Sequence, residues 1–407
     1  MEQTIAAEVF AEETLIINYP EASKAVKIKT IESFVVLHQL EKSFYFSQWE
    51  YEKRLICLVK ITLEDGTYGW GEGYGPAYMI KEGIEFFKPL LLGQNPIEIE
   101  NLWQKMYARS LDYSRRGVFL SAISALDIAL WDIKGKILNL PVSTLLGGRK
   151  REHIKAYATG MYFSEGANLS ARLAEEAADY KKQGFSAMKM KVGIGIKEDL
   201  KNIQAVREAI GDDIELMVDS NHAFCLKEAL QLAKKMERFD IAWFEEPISP
   251  EEYANYYYLR KKTSIPIAGG ECEYLRYGFL HLFQSKSVDI AQPDICSAGG
   301  LTEVKKICCM AQTFGVDIVP HTWGTGIAVS AALHLMSNWD TIPGRLHQPI
   351  PLLELDRTEN PLRDELITPM LVVENGMVQV PDKPGLGVEV NEQILKKYLA
   401  HENKLWL

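Results

Sequence analysis

The sequence predicts an α/β protein: a (β/α)8 TIM-type barrel with an α+β capping domain formed by the N-terminal region and the C-terminal segment. Three observations lead there. From residue 151 onward, short apolar runs alternate with amphipathic segments such as ANLSARLAEEAADYKKQG and KEDLKNIQAVREAIG. Eight such runs can be counted (HIKAYATG, SAMKMKV, IELMVDS, IAWFEE, PIAGGE, VDIAQPD, VDIVPH and PLLELD), and helix signals separate the first seven. Strand and helix repeated this often imply parallel pairing, and eight units of this size suit a closed barrel better than an open sheet. The third observation is that run after run ends in an ionisable group: Lys189 and Lys191, Asp219, Glu245, Glu271, Asp294, His321 and Glu354. Neighbouring ends lie 23 to 33 residues apart, about one strand plus one helix.

Ahead of the barrel, residues from about 27 to 63 alternate as strands do, in KIKTIESFVVL and RLICLVKITL, and close on the turn signal Glu64-Asp65-Gly66. GVFLSAISALDIALWDIKGKIL then carries apolar residues at three and four spacing and stops before Asn139 and Pro141, which predicts a well-buried helix. This gives a capping domain over residues 1–150, whose first 26 or so are an extension, and a barrel over 151–370. The proline-rich stretch between Pro343 and Pro351 weakens the last unit. Residues 371–407, with LVVENGMVQV and PGLGVEV, are expected to return to the capping domain.

Composition narrows the function. With 407 residues, 47% apolar and 25% charged, the chain is long enough for two domains and ordinary for a soluble enzyme. No apolar run approaches the roughly 18 residues of a membrane helix. The stretch MEQTIAAEVFAEETLIINYPEASK is acidic and has no basic segment leading into an apolar core, so the expected location is cytoplasmic. Net charge is −10, and basic clusters stop at Arg115-Arg116 and Arg149 to Arg151, which argues against nucleic acid as a partner. A small anionic substrate then needs a local cation. Six cysteines, Cys57, Cys225, Cys272, Cys296, Cys308 and Cys309, include no CxxC pair and make no zinc pattern, and they read as reduced thiols.

Carboxylates on apolar strands are costly to bury unless they share a cation, and Asp219, Glu245 and Glu271 end the third, fourth and fifth candidate strands. Three such oxygen ligands, completed by water or substrate, favour Mg2+ over zinc. In AWFEEP either Glu245 or Glu246 can be the ligand, since alternation turns only one inward. Lys189 and Lys191, two apart on one strand, share a face. A second ammonium and a nearby metal both disfavour protonation, so one of these lysines can act as a neutral base. Asp294 and His321 end adjacent strands, which suits a carboxylate orienting an imidazole. Bases on two sides of a carboxylate's α-carbon allow either proton return on the other face, giving racemisation or epimerisation, or departure of a β-oxygen, giving elimination. A non-catalytic metal-binding scaffold is the alternative of another class.

MKMKVG, VDSN, WFEEP, AGGE, QPD and VPHTWGTG, with the helix ALDIALWDIKGK, resemble the enolase superfamily, in its mandelate racemase subgroup (the mandelate racemase/muconate lactonizing enzyme family), from about residue 27 to 400. Carried over by position, the resemblance implies Asp219, Glu245 and Glu271 as Mg2+ ligands. It implies Lys191 as one base, His321 with Asp294 as the other, and Lys189 and Glu354 as contacts to the substrate carboxylate, with Asn221 of VDSN beside them. KAYATG, PHTWGTG and ELDRTENPLR are most similar to galactarolactone cycloisomerases and acid-sugar dehydratases, which implies β-elimination from a small sugar acid or lactone in carbohydrate acid catabolism. Homo-oligomers are implied too. Specificity is implied to lie in two cap loops, about 40 to 52 and 70 to 80. The first offers Phe46, Trp49 and Tyr51 as surfaces for a sugar, and His222 could also reach the site.

Overall fold

A computed structural model of the protein describes residues 26–339, 346 and 351–400. The expected N-terminal extension and the proline-rich stretch before Pro351 lie outside the described residues, apart from Arg345's neighbour Leu346. The alternating N-terminal stretch folds as an antiparallel sheet of β1 (Ile28–Tyr45), β2 (Glu50–Leu63) and β3 (Tyr68–Gly73), followed by α1 (Ala77–Leu91), α2 (Ile99–Ser110) and α3 (Val118–Leu138). Apolar faces of these elements, among them Ile31, Val59, Ile61, Phe87, Ile123 and Leu126, bury one another in a core of their own. The helix α3 lies directly against β3. Glycine at every second strand position permits this, because a Cβ on Gly71 would sit 1.9 Å from the Ala125 carbonyl oxygen.

The two expected specificity loops are shorter than the sequence suggested. β1 continues to Tyr45 and β2 resumes at Glu50, because a register shift between Gln39 and Phe44 absorbs the residues that break the alternation. Likewise β3 runs to Gly73 and α1 starts at Ala77, leaving only Tyr74 to Pro76 as a loop.

After the short helix α4 (Val142–Leu145) the barrel begins. Its strands are β4 (His153–Thr159), β5 (Ala187–Lys191), β6 (Glu215–Asp219), β7 (Ile241–Glu245), β8 (Ile267–Gly269), β9 (Ile290–Ala291), β10 (Asp317–Ile318) and β11 (Leu352–Asp356). Between them run α5 (Leu169–Lys182), α6 (Ile196–Ile210), α7 (Leu226–Met236), α8 (Tyr253–Arg260), α9 (Leu275–Gln284), α10 (Gly300–Phe314) and α11 (Gly326–Met336). Each strand from β4 to β10 pairs in parallel with the next, and β11 pairs back onto β4. Among the described residues, no pairing joins β10 to β11.

The barrel interior is a layer of Tyr157, Ala187, Met217, Trp243, Ala268 and Val319. Outward residues such as Met188, Met190 and Val218 pack under the helices. The period of two then carries the inward row one step up, from Ala187 to Lys189 and Lys191, Met217 to Asp219, Trp243 to Glu245 and Val319 to His321. The ionisable strand ends are thus the next interior layer, at the C-terminal mouth.

The segment from 371 divides. A hairpin of Val373–Glu374 and Met377–Gln379, turned at Asn375 and Gly376 with φ of 51° and 69°, pairs with β4 at the barrel foot instead of returning to the cap. β4 and β5 pair only at Ala158 and Thr159, so the lower half of β4 has backbone groups left to satisfy. Beyond it the chain lies on the cap, where the Gly385 carbonyl accepts from Val142, Lys60 Nζ meets Glu392 Oε1 at 2.6 Å and Ala400 N donates to the Val35 carbonyl at 2.9 Å.

Candidate active site

Asp219, Glu245 and Glu271 each offer a carboxylate oxygen within 4.8 Å of the others at the barrel mouth. Glu246, by contrast, leaves β7 with φ of 42° and turns away from this cluster, so Glu245 is the inward member of the pair. Asp219 Oδ2 lies 2.5 Å from Lys191 Nζ, and its Oδ1 accepts from the Asn221 backbone N–H at 2.9 Å. Glu245 accepts from Trp243 Nε1 at 2.9 Å and Gln292 Nε2 at 2.6 Å, and its other oxygen contacts Lys189.

Lys189 is buried between acids, 2.8 Å from Glu354 Oε1 and 3.7 Å from Asp219 Oδ2 as well as against Glu245. Burial would lower its pKa, but Glu245 and Glu354 hold it well above the ordinary lysine value. Glu354 also accepts from Thr159 Oγ1 at 2.8 Å and the Thr322 N–H at 3.1 Å. Against the cost of burial, Lys189 and His321 bring it down to about 2. Asp219 behaves alike, held at about 2 by Lys191 and Lys189 although burial opposes them. Glu245 goes the other way. Burial first, then the neighbouring acids, outweigh Lys189 and push it up to about 7.

Five acids, Asp219, Glu245, Glu271, Asp294 and Glu354, therefore share this mouth with Lys189, Lys191 and His321. The positive charge falls short, and Glu245 registers the deficit. An all-oxygen triad with too little positive charge fits a hard divalent cation.

His321 Nδ1 is 2.6 Å from Asp294 Oδ2, and its Nε2 is 3.7 Å from Glu271 Oε2. Burial would lower the imidazole, but Glu271 and the Asp294 hydrogen bond raise it to about 10. Lys191 and His321 line one cavity with Lys189, Asn221, Glu271 and Glu354. Their strands, β5 and β10, stand five apart one way round the barrel and three the other. Asn221 Oδ1 accepts from Lys191 Nζ at 2.8 Å, and its carbonyl accepts from Ser47 Oγ at 3.0 Å and Gln48 Nε2 at 2.7 Å. These bonds latch the β1–β2 tip over the mouth.

Phe46 and Tyr51 reach the cavity from that tip, stacked with ring centroids 5.7 Å apart. Trp49 does not reach it. At 62% exposed it sits in the turn between β1 and β2, before the alternation that aims Tyr51 inward begins. Tyr74, which falls within the expected 70–80 loop, completes the aromatic wall with Tyr162 and Trp323, none of the three individually expected from the sequence. Trp323 lies two residues past His321 inside PHTWGTG, so the period of two was a signal for it. Tyr162 follows the C-terminal end of barrel strand β4, whereas Tyr74 follows β3 and reaches the mouth through the docking of the cap. His222 does not line the cavity and instead faces Glu246 and Cys272.

Comparison with known proteins accords with this architecture. Residues 30–147 match the mandelate racemase/muconate lactonizing enzyme N-terminal domain, and residues 172–394 match the enolase C-terminal domain-like family. D-galactarolactone cycloisomerase of Agrobacterium fabrum is 42% identical over 373 residues, spanning 92% of this chain and 99% of that protein. Arabinonate dehydratase of Saccharolobus solfataricus is 36% identical, spanning 84% and 90%. The crystal structure of 3,6-anhydro-D-galactonate cycloisomerase from Zobellia galactanivorans is 59% identical and superposes with a TM-score of 0.85, covering 92% of this chain and all of that one. No helix among the described residues is long and apolar enough to cross a membrane.

Proposed function

Because the chain belongs to the mandelate racemase/muconate lactonizing enzyme family of the enolase superfamily, we propose that it opens the ring of a cyclic sugar acid by α-proton abstraction and β-elimination. The observation that carries this reading is one cavity flanked by Lys191 and His321 beside three clustered carboxylates. Asp219, Glu245 and Glu271 would hold Mg2+. That ion would draw charge from a substrate carboxylate, ease loss of its α-proton and relieve Lys191 of its anionic partner.

The remaining work falls to side chains. Lys191 takes the α-proton from one face. As the electron pair moves toward the β-carbon, the bond to the β-oxygen breaks, and His321, oriented by Asp294, donates its Nε2 proton to that oxygen from the other face. The enol so formed becomes a 2-keto acid. Lys189 and Glu354, on the floor, position the carboxylate end, and Phe46, Tyr51, Tyr162 and Trp323 offer flat surfaces to the ring.

Ring opening is favoured over dehydration by two similar proteins whose names specify cyclic substrates. In 3,6-anhydrogalactonate the ether oxygen sits on C3, β to the C1 carboxylate, so elimination across C2 and C3 opens the ring without change of mass. The test is a proton NMR screen of cyclic and open sugar acids with Mg2+ in D2O. Expected is consumption of 3,6-anhydro-D-galactonate or D-galactarolactone with loss of the α-proton and no change of mass beyond deuterium uptake. Loss of water from open aldonates alone would make the protein a dehydratase. Recovered substrate carrying α-deuterium would make it a racemase or epimerase, and Mg2+ binding with no exchange on any acid would leave a scaffold.

A further inference from the structure

Behind the acidic triad, the same three strand ends build a second cluster. His222 follows Asp219 by three residues, Glu246 follows Glu245 by one and Cys272 follows Glu271 by one. His222 Nε2 lies 3.0 Å from Glu246 Oε2 and 3.6 Å from Cys272 Sγ, and all three donor atoms fall within 4.8 Å of one another. Where the triad is all oxygen, this set is nitrogen, sulfur and oxygen.

We propose that His222, Glu246 and Cys272 form a distinct binding site for one borderline-soft divalent cation of the zinc type, separate from the all-oxygen site. Bond lengths of about 2.3 Å to sulfur and about 2.0–2.1 Å to nitrogen and oxygen at a tetrahedral angle place S and N about 3.6 Å apart and N and O about 3.3 Å apart. The two observed separations are close to these without any ion. A second, independent sign is Glu246. It is buried, its carboxylate meets only the His222 ring and the Cys272 thiol, and among the described residues no lysine or arginine forms an ion pair with it. A carboxyl so placed either keeps its proton or is joined by a cation that lets it ionise. His222 Nδ1 makes no hydrogen bond, so Nε2 is the one nitrogen this ring engages. Cys272 and His222 are partly exposed, which gives an ion a way in and leaves a fourth position for water. Donors at 222, 246 and 272 sit on three separate strand ends, and no short cysteine spacing announces them.

The site stands or falls independently of the reaction proposed above. The experiment is Co2+ titration of the full chain in saturating Mg2+, read by near-ultraviolet thiolate-to-cobalt absorption and by equilibrium dialysis of Zn2+. One ion per chain is expected, with the thiolate band present. Cys272→Ser should abolish the band and weaken binding at least tenfold, and His222→Asn should weaken it similarly. Asp219→Asn, which disables the oxygen site, and Cys225→Ser, which removes a nearby exposed thiol, should both keep the band. Absence of the band in the wild-type protein overturns the proposal whatever the variants do. Survival of the band in Cys272→Ser, or its loss in Asp219→Asn, overturns it too.

Discussion

Lys191 and His321 differ in what holds them. Lys191 is fastened to Asn221 and to Asp219 of the acidic triad, whereas His321 is fastened to Asp294, and Glu271 and the Asp294 hydrogen bond raise its imidazole to about 10. A charged imidazole is a proton donor, so in the proposed elimination the two groups take different halves. Each replacement should lower kcat by about 10²–10⁴-fold. Exchange of the α-proton with D2O separates them. Lys191→Ala should lose exchange and ring opening together; His321→Asn should keep exchange while ring opening stalls. Exchange retained by Lys191→Ala would remove Lys191 from the base role. These groups were legible in the sequence because an ionisable residue that ends an apolar run has few inexpensive places to go. Trp49 misled for the opposite reason, since an aromatic in a turn carries no periodicity to say which way it faces.

At the scale of elements, the contact between β3 and α3 is what sets the cap's geometry. Gly69, Gly71 and Gly73 all face α3, and at Gly71 the obstacle to a side chain is the backbone of Ala125, which cannot swing aside as a flexible side chain could. Gly71→Ala should therefore destabilise the protein by about 1–3 kcal/mol or more, seen as a lower Tm in thermal melts. An unchanged Tm would mean that the helix stands farther from the strand. Gly66, in the open β2–β3 turn, meets nothing within 4 Å, but its φ of 90° makes it a poor control, so the comparison is with wild type. The eight barrel strands could be read from runs and spacing. Most of residues 70–80, expected as a loop, is strand and helix, because glycine signals turns and close packing alike. Tyr74 lies inside the expected 70–80 loop without having been named, and its place at the mouth depends on how the cap docks; Tyr162, just past β4, ends no charged run that would mark it.

On the scale of the whole molecule, His334 in α11 is a buried junction between α4 and the C-terminal segment. Its Nδ1 accepts from the Ser143 N–H of α4 at 3.1 Å, and its Nε2 donates to the Leu386 carbonyl of the C-terminal segment at 3.0 Å. Both bonds need the neutral ring in one tautomer. Burial accordingly lowers His334 to about 4, against about 6.5 for an exposed histidine. Between those values the unfolded chain binds more protons than the folded one, so stability from this group is present above about pH 6.5 and lost as pH falls toward 4. The full loss is on the order of 3 kcal/mol. Glu72 and Asp127, both buried and pushed up to about 7, have the opposite sign: their ionisation weakens the fold as pH rises from the ordinary carboxylate range toward 7. A single pH–stability curve would mix these slopes, but the difference between wild type and His334→Gln cancels the two acids. The variant should be less stable at about pH 7, and the gap should narrow by about 2 kcal/mol at about pH 5, where only wild type is taking up the extra proton on unfolding. Urea melts at the two pH values measure it, and a gap that stays constant would mean that His334 does not stay neutral in the folded protein.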